Sequence, residues 1–216
     1  MNRSTKIIVS IFGILLGISG INHGFFAALQ GFTPTSALIF ESIGETNRMW
    51  LYGFETAFTV IPNYFISGIL SIITSLAIMV WSIAFVHKKN GSVILILLYI
   101  FLFMVGGGLG QVIFFLPLWG VSTCINNPLI WWRKVLSEKI RQILGKIWPF
   151  SLTAVSMMFL IALEIAVFGF VPGVTNPEHK LFICWSILAA AFLLFIITFV
   201  SGLARDIQRN YRMSEA

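Results

Sequence analysis

The stretch Asn90–Trp132, NGSVILILLYIFLFMVGGGLGQVIFFLPLWGVSTCINNPLIWW, runs for 43 residues without an aspartate, glutamate, lysine or arginine. A helix needs roughly 20 apolar residues to cross a bilayer, so this stretch can hold two short crossings. The glycine-rich sequence Gly106–Gly110 lies near its middle, and glycine both tolerates turn conformations and weakens a helix interior. We therefore predict a hairpin in which residues 92–108 cross in one direction and residues 111–130 return.

An alternative arrangement keeps part of the returning arm out of the membrane. Pro117 and the sequence Asn126–Pro128 interrupt that arm, which could leave the membrane near Trp119. The glycines would then serve to bring two helices into close contact. The two arrangements differ in the number of crossings, and hence in which face of the membrane holds each basic loop.

The rest of the chain is also strongly apolar. Hydrophobic residues make up 58% of the 216 residues and charged residues only 10%, whereas a soluble domain carries about 25% charged residues. Four further apolar segments are each long enough to span a bilayer: residues 7–29, 64–86, 150–170 and 181–203. We therefore predict an all-α polytopic integral membrane protein, a helical bundle of five hydrophobic segments with six crossings if residues 92–130 form the hairpin. We find no internal repeat or Ser/Pro-rich linker, so residues 1–216 are expected to form a single domain.

The positions of the basic residues discriminate between the two arrangements. Of the 14 lysines and arginines, the hairpin places twelve on one face and leaves only Arg48 and Lys180 on the other. A single crossing would instead divide them nine to five. The positive-inside rule favours the hairpin and predicts a multi-pass protein of the cell membrane, with both termini cytoplasmic and residues 30–63 external. This flanking pattern accounts for the net charge of +6, so we expect no nucleic-acid partner.

The N-terminus has features of a secretory signal, and two cysteines raise the question of a disulfide or a metal site. Arg3 and Lys6 precede an apolar run, as in a secretory signal, but the run exceeds the usual length and no A-x-A site follows. We expect an uncleaved first span, with cleavage as the alternative. Cys124 and Cys184 have no paired spacing, so we predict neither a disulfide nor a cysteine metal site.

A basic amphipathic segment follows the hairpin. Between Trp132 and Trp148 the apolar residues fall on one helical face, and five basic residues fall largely on the other. Such a helix, rimmed by tryptophans, is typical of a membrane interface with anionic lipid. We predict an interfacial helix over residues 131–147 on the cytoplasmic side, with anionic lipid as its partner. The alternative is a linker helix packed on the bundle.

Small residues form one face of the first span. Gly13, Gly17, Gly20 and Gly24 recur at spacings of four, three and four residues, which predicts a face that a partner helix can approach closely. His23 lies about 60° around the helix from Gly20, at roughly 100° per residue. We therefore expect His23, preceded by Asn22, to border a packed helix contact. A histidine that merely bonds a neighbouring carbonyl or hydroxyl is the alternative.

Glu164 is the second ionisable residue within a predicted span. A carboxylate there is costly and usually faces protein or water. By helical rise, His23 and Glu164 each lie roughly 25 Å from the cytoplasmic face if the hairpin forms. The hairpin also brings Gln111 toward the same outer level. We predict a polar pocket in the outer half of the bundle, with Glu55 either reaching it from above or, as we favour, remaining solvated; the pocket residues are Asn22, His23, Glu55, Gln111 and Glu164.

Three functions fit these residues. The first is a transporter of a small solute coupled to a proton or cation, since protonatable groups within a membrane suit that task. The second is a metal-dependent membrane enzyme with His23 and Glu164 as candidate ligands. The third is a non-catalytic membrane subunit whose glycine face binds a partner helix. The motifs HExxH, GxSxG and GxxxxGK[ST] do not occur in the sequence, so hydrolase and nucleotide-binding functions lack support.

Overall fold

The computed structural model describes residues 1–214, with side chains described up to residue 210. Arg212, one of the basic residues counted above, therefore lies outside the described side chains. The described chain is mostly helical, and its helices are α1 (Arg3–Leu29), α2 (Tyr64–Val80), α3 (Gly91–Met104), α4 (Val112–Thr123), α5 (Ile130–Val135), α6 (Glu138–Phe168) and α7 (Pro177–Ser214).

Four of these helices are long and apolar enough to cross a membrane. They are α1, α2 with its continuation as a π-helical turn to Phe85, α6 and α7. The predicted spans at 7–29 and 181–203 lie within α1 and α7, whereas those at 64–86 and 150–170 run one and two residues past the helix ends at Phe85 and Phe168. The prediction of a membrane protein built mainly from helices agrees with these lengths and compositions.

The chain reverses direction between α3 and α4. The ends of this region lie close together, since the amide of Asn126 donates to the carbonyl of His87 over 2.9 Å. Beyond α4, the backbone N–H of Asn2 donates to the carbonyl of Ile125 over 2.6 Å, beside the start of α1. The turn itself lies at the opposite end of α1, where Gly108 abuts His23. The chain therefore doubles back at the glycines, with arms shorter than the predicted 92–108 and 111–130.

A small β-sheet corrects the prediction of an all-α fold. The strands β1 (Ile39–Glu41), β2 (Thr56–Thr59) and β3 (Val105–Gly108) form an antiparallel sheet in that order. Ala57 pairs with Phe40 on one side and with Gly108 on the other. The sheet arises because β3 leaves backbone groups unpaired at the tip of the hairpin, and the predicted external segment supplies strands that satisfy them. Residues 48–59 form turns and strand β2 and contain no helix.

Helix α2 occupies the glycine face of α1. A Cβ atom added to Gly24 would lie 2.6 Å from the carbonyl oxygen of Gly68, and one added to Gly13 would overlap the side chain of Ser82. Gly17 and Gly20 are covered in the same way by Met79 and Ser75. The close approach predicted for this face is therefore present, and the helix that makes it belongs to the same chain.

The basic amphipathic segment is divided differently from the prediction. The helix expected over residues 131–147 breaks at Leu136–Ser137. Ser137 then caps α6, which continues through Pro149 to Phe168 without interruption. At 31 residues α6 is about 46 Å long, so its basic first turns extend beyond the roughly 30 Å that a hydrocarbon core requires. The predicted separation between interfacial helix and span is wrong, because Pro149 does not end the helix.

Candidate functional site

His23 is the best-defined polar residue inside the bundle. Its side chain lies near the end of α1 and only 3% of the residue is exposed. Its Nδ1 atom lies 2.9 Å from the Oγ atom of Ser42. The Ser42 hydroxyl donates its one proton to the backbone carbonyl of Glu55 over 2.7 Å. Since that proton is already used, we assign Nδ1 of His23 as the donor to Ser42.

The other ring nitrogen of His23 faces a carboxylate. Its Nε2 atom lies 3.6 Å from Oε2 of Glu55, whose side chain is 26% exposed. Because Nδ1 already carries a proton, the proton that titrates is the one at Nε2. With that proton the pair is an imidazolium beside a carboxylate; without it, Glu55 is an unpaired anion at the edge of the bundle. The contact can therefore gain and lose one proton.

Residues 30–63, which we call the external segment after their predicted location, hold Glu55 in place through the backbone. Glu55 has a positive φ of 42° immediately before β2, a conformation that L-residues rarely adopt. The backbone N–H of Ser42 donates to the carbonyl oxygen of Glu55 over 2.8 Å, next to the hydroxyl bond from the same residue. Ser42 is fully buried. These two bonds join the residue after β1 to the residue before β2, and so hold Glu55 beside His23.

Ser42, His23 and Glu55 do not form a nucleophilic triad. The hydroxyl of Ser42 is fully buried, and Ser42 is not among the residues that line the cavity described next. A nucleophile must reach a substrate with a lone pair while its proton passes to a base. The Ser42 proton instead goes to a backbone carbonyl, so we assign Ser42 a positioning role.

A cavity of about 280 Å³ adjoins the His23–Glu55 contact. It lies where α1 and the start of α4 meet the α6–α7 pair, under the external segment. Its wall is mostly aromatic and aliphatic, with a small polar group at one side. The lining residues are Ser19, His23, Trp50, Tyr52, Phe54, Glu55, Thr56, Gly110, Gln111, Phe114, Phe159, Ala162, Leu163, Ala166, Leu181, Cys184, Trp185 and Leu188.

Three of the five predicted pocket residues line this cavity. They are His23, Glu55 and Gln111, and the amide of Gln111 donates to the hydroxyl of Ser19 over 3.1 Å. Glu55, which we expected to be solvated, instead contacts His23. The structure thus brings together the imidazole of α1, the external carboxylate and the amide that follows the glycine turn.

The remaining two predicted residues, Asn22 and Glu164, are not among the described side chains that line the cavity. Ala162 and Ala166 of α6 do line it, and each is two residues, about 200° of helical rotation, from Glu164. Glu164 therefore faces away from the cavity that His23 lines. The Nδ2 atom of Asn22 is buried and has no hydrogen-bond partner among the described residues.

Sequence reasoning missed the aromatic residues that close the cavity. Trp50 packs on Gly53 and Gly169, and its indole N–H donates to the carbonyl of Ala166 near the end of α6 over 3.0 Å. Gly169 has a positive φ of 62° and ends that helix. The cluster of three aromatic residues in the sequence WLYGF was visible, but nothing local indicated that it folds inward.

The donor set does not favour a protein metal site. Within residues 1–214, no three histidine, cysteine, aspartate or glutamate side chains lie close enough together to hold a metal ion.

The chain matches no protein-family model, and no curated protein or solved structure is significantly similar to it.

Proposed function

We propose that the protein is a multi-pass membrane transporter that binds a small, largely apolar solute in this cavity and couples its movement to a proton. The contact between His23 and Glu55 at the cavity wall carries this proposal. Ionisable groups buried in a membrane protein commonly mark ion and proton pathways. Here the one exchangeable proton lies where a bound solute would touch the same side chains.

The size and lining of the cavity support a small solute. Its volume of about 280 Å³ lies at the lower end of ligand pockets, which run from roughly 300 to 1,000 Å³. Six aromatic side chains line it, together with a few polar groups from α1, the external segment and the start of α4. This combination favours binding by burial of apolar surface, with orientation set by the polar side.

The proposal includes an orientation in the membrane. The reversal between α3 and α4 supports six crossings, with both termini cytoplasmic, because this arrangement places twelve of the 14 basic residues on one face. The cavity would then open under the external segment. The basic start of α6 would lie at the cytoplasmic surface, where we propose that it contacts anionic lipid.

Each of the two other functions requires an arrangement of residues that differs from the one described above. The metal-dependent enzyme needed Glu164 beside His23, and Glu164 does not line the cavity. The partner-binding subunit needed a free glycine face on α1, and α2 covers that face. Transport needs only the cavity and the proton-exchanging contact.

Proton-coupled flux in liposomes tests the proposal. The purified chain is reconstituted with an entrapped pH-sensitive dye, and three probes that share a phenyl ring are added in turn: benzyltrimethylammonium, benzyl alcohol and phenylmethanesulfonate. We expect at least one probe to move protons through the wild type and to change its tryptophan fluorescence, because Trp50 and Trp185 line the cavity.

The variant His23→Gln removes the titrating group, so its proton movement should fall to the level of empty liposomes. Glu45→Gln, at an exposed position outside the cavity, is the matched control and should behave as the wild type. Absence of both proton movement and fluorescence change with all three probes would refute the proposed function.

A further inference from the structure

Apart from His23, which can take up a proton, the ionisable groups that line the cavity are acids or neutral groups. Those that line it are Glu55, His23, Cys184 and Tyr52. Among the side chains that the structure describes, no lysine or arginine lines the cavity. When His23 is neutral, Glu55 alone sets the charge of the site. An anionic solute would meet an unpaired carboxylate there without any compensating cation.

The basic residues that lie close in sequence to the lining residues do not themselves line the cavity. The guanidinium of Arg48 pairs with Glu41 and lies 5.5 Å from the ring centroid of Phe54. Lys180 precedes the lining residue Leu181 on α7 but does not line the cavity itself. On α6, the ionisable residue next to the lining positions is Glu164, which is an acid and supplies no cation. The surroundings thus do not reverse the sign set by Glu55.

Aromatic rings line the same cavity as this carboxylate. The external segment contributes Trp50, Tyr52 and Phe54, and the helices contribute Phe114, Phe159 and Trp185. Aromatic faces attract cations through their quadrupole, and more strongly when the pair is shielded from water. An aromatic wall with a single carboxylate is suited to an organic cation.

Resting on the proposed function, we propose that the solute is a monovalent organic cation, which competes with the Nε2 proton of His23 for the carboxylate of Glu55. The protonated site is already neutral, because imidazolium and carboxylate face each other at 3.6 Å. Entry of the cation displaces the proton from Nε2 to solvent, and exit of the cation allows a proton to return. One charge is exchanged for one charge, and no covalent bond forms or breaks apart from the N–H bond.

This exchange gives the transporter a direction of coupling. Since cation and proton cannot both pair with Glu55, each weakens the binding of the other by the same factor. A proton gradient directed inward would therefore drive the organic cation outward, as an electroneutral antiport.

The substrate class is tested by binding to the full chain in detergent. Isothermal titration calorimetry measures the Kd of benzyltrimethylammonium, benzyl alcohol and phenylmethanesulfonate at a pH where His23 is neutral. We expect the cation to bind at least about tenfold more tightly than the alcohol, a difference of about 1.4 kcal/mol, and the sulfonate not to bind. Preference for the alcohol or the sulfonate would overturn the organic-cation proposal and leave the cavity as a solute site. Absence of binding by all three would contradict the proposed function as well.

The competition between the cation and the proton is measured separately, by the pH dependence of the Kd and by proton release. Once the pH is low enough to protonate His23, we expect the Kd of benzyltrimethylammonium to rise about tenfold for each further unit by which the pH falls. Up to one proton should be released per cation bound. Glu55→Gln should weaken binding of the cation about tenfold and abolish the proton release, while affinity for benzyl alcohol changes little. Glu45→Gln should match the wild type. A Kd that does not depend on pH, or that is unchanged in Glu55→Gln, would overturn the competition.

Discussion

The carboxylate of Asp206, near the end of α7, accepts two hydrogen bonds of 2.8 Å from Thr5, one from its backbone N–H and one from its hydroxyl. A third bond of 2.8 Å comes from the backbone N–H of Ser4. These N–H groups belong to the first turn of α1, which has no partner for them within the helix. Asp206 is only 1% exposed, so the first and last helices of the described chain are joined by a buried, charge-assisted cap.

We expect Asp206→Ala to lower the free energy of unfolding by about 2–4 kcal/mol, because it leaves buried N–H groups and a hydroxyl without their acceptor. Unfolding in detergent micelles, followed by tryptophan fluorescence, measures the change. Glu178→Ala removes an exposed acid in the first turn of the same helix and should shift stability by less than about 0.5 kcal/mol. Equal stability of the two variants would contradict the role of this cap.

The contact between α1 and α2 predicts a steric penalty at Gly24. A Cβ added there would lie 2.6 Å from the carbonyl oxygen of Gly68 and 3.0 Å from the backbone nitrogen of Ile72. Backbone atoms cannot move aside as a side chain can, so we expect Gly24→Ala to destabilise the fold by about 1–3 kcal/mol. Gly120→Ala is the control, since no described atom lies within 4 Å of its added Cβ. A stable Gly24→Ala variant would show that the helices can separate at little cost.

Local sequence patterns predicted those features of the fold that depend on residue spacing along one helix or on the length of one uncharged stretch. The recurrence of Gly13, Gly17, Gly20 and Gly24 specified a close helix contact, because helical geometry alone puts them on one face. The uncharged stretch Asn90–Trp132 with Gly106–Gly110 at its centre indicated a reversal, because its length and its weakest helical point were both visible. These expectations needed no knowledge of which other element lies nearby.

The partner of His23 could not be predicted in this way. Counting the helical rise gave an expected height for Glu164 but carried no information on the rotation between two helices. Glu55 belongs to an external segment whose path depends on strand pairing with β3, and strand pairing is set by contacts distant in sequence. The inward fold of Trp50 depends on the same pairing, together with the packing of its ring on Gly169.

The proposed topology predicts which side of the membrane labels each of three single cysteines. In a variant with Cys124 and Cys184 replaced, cysteines at Lys89 and Gln142 should react from the cytoplasmic side and one at Glu178 from the outside. All three positions are exposed, so an impermeant maleimide on intact cells and on inverted vesicles can distinguish them. Positions 89 and 142 flank the reversal, and labelling of these two from opposite sides would mean that residues 91–123 cross only once.

The basic segment formed by α5 and the start of α6 predicts a preference for anionic lipid. Lys134, Lys139 and Lys146 are exposed, and each lysine near an anionic surface contributes about 1 kcal/mol. We expect added phosphatidylglycerol to raise the melting temperature of the wild type in detergent, and to do so much less for the variant with all three lysines changed to glutamine. The effect should weaken in high salt. A variant with Arg3 and Lys88, two basic residues outside this segment, changed to glutamine is the control; the same loss there would indicate a general effect of charge.

The contact between Gly108 and His23 allows a substitution that disturbs the site without straining the backbone. Gly108 has an ordinary φ of −64°, so alanine meets no conformational penalty there, but its Cβ would overlap the Nε2 atom of His23. We expect Gly108→Ala to push the imidazole away from Glu55 and to abolish the proton release that accompanies binding of benzyltrimethylammonium. Gly110→Ala adds the same methyl group two residues later, where no described atom lies within 4 Å. If both variants released protons as the wild type does, Nε2 of His23 would not be the titrating atom, since only the Gly108 variant displaces it.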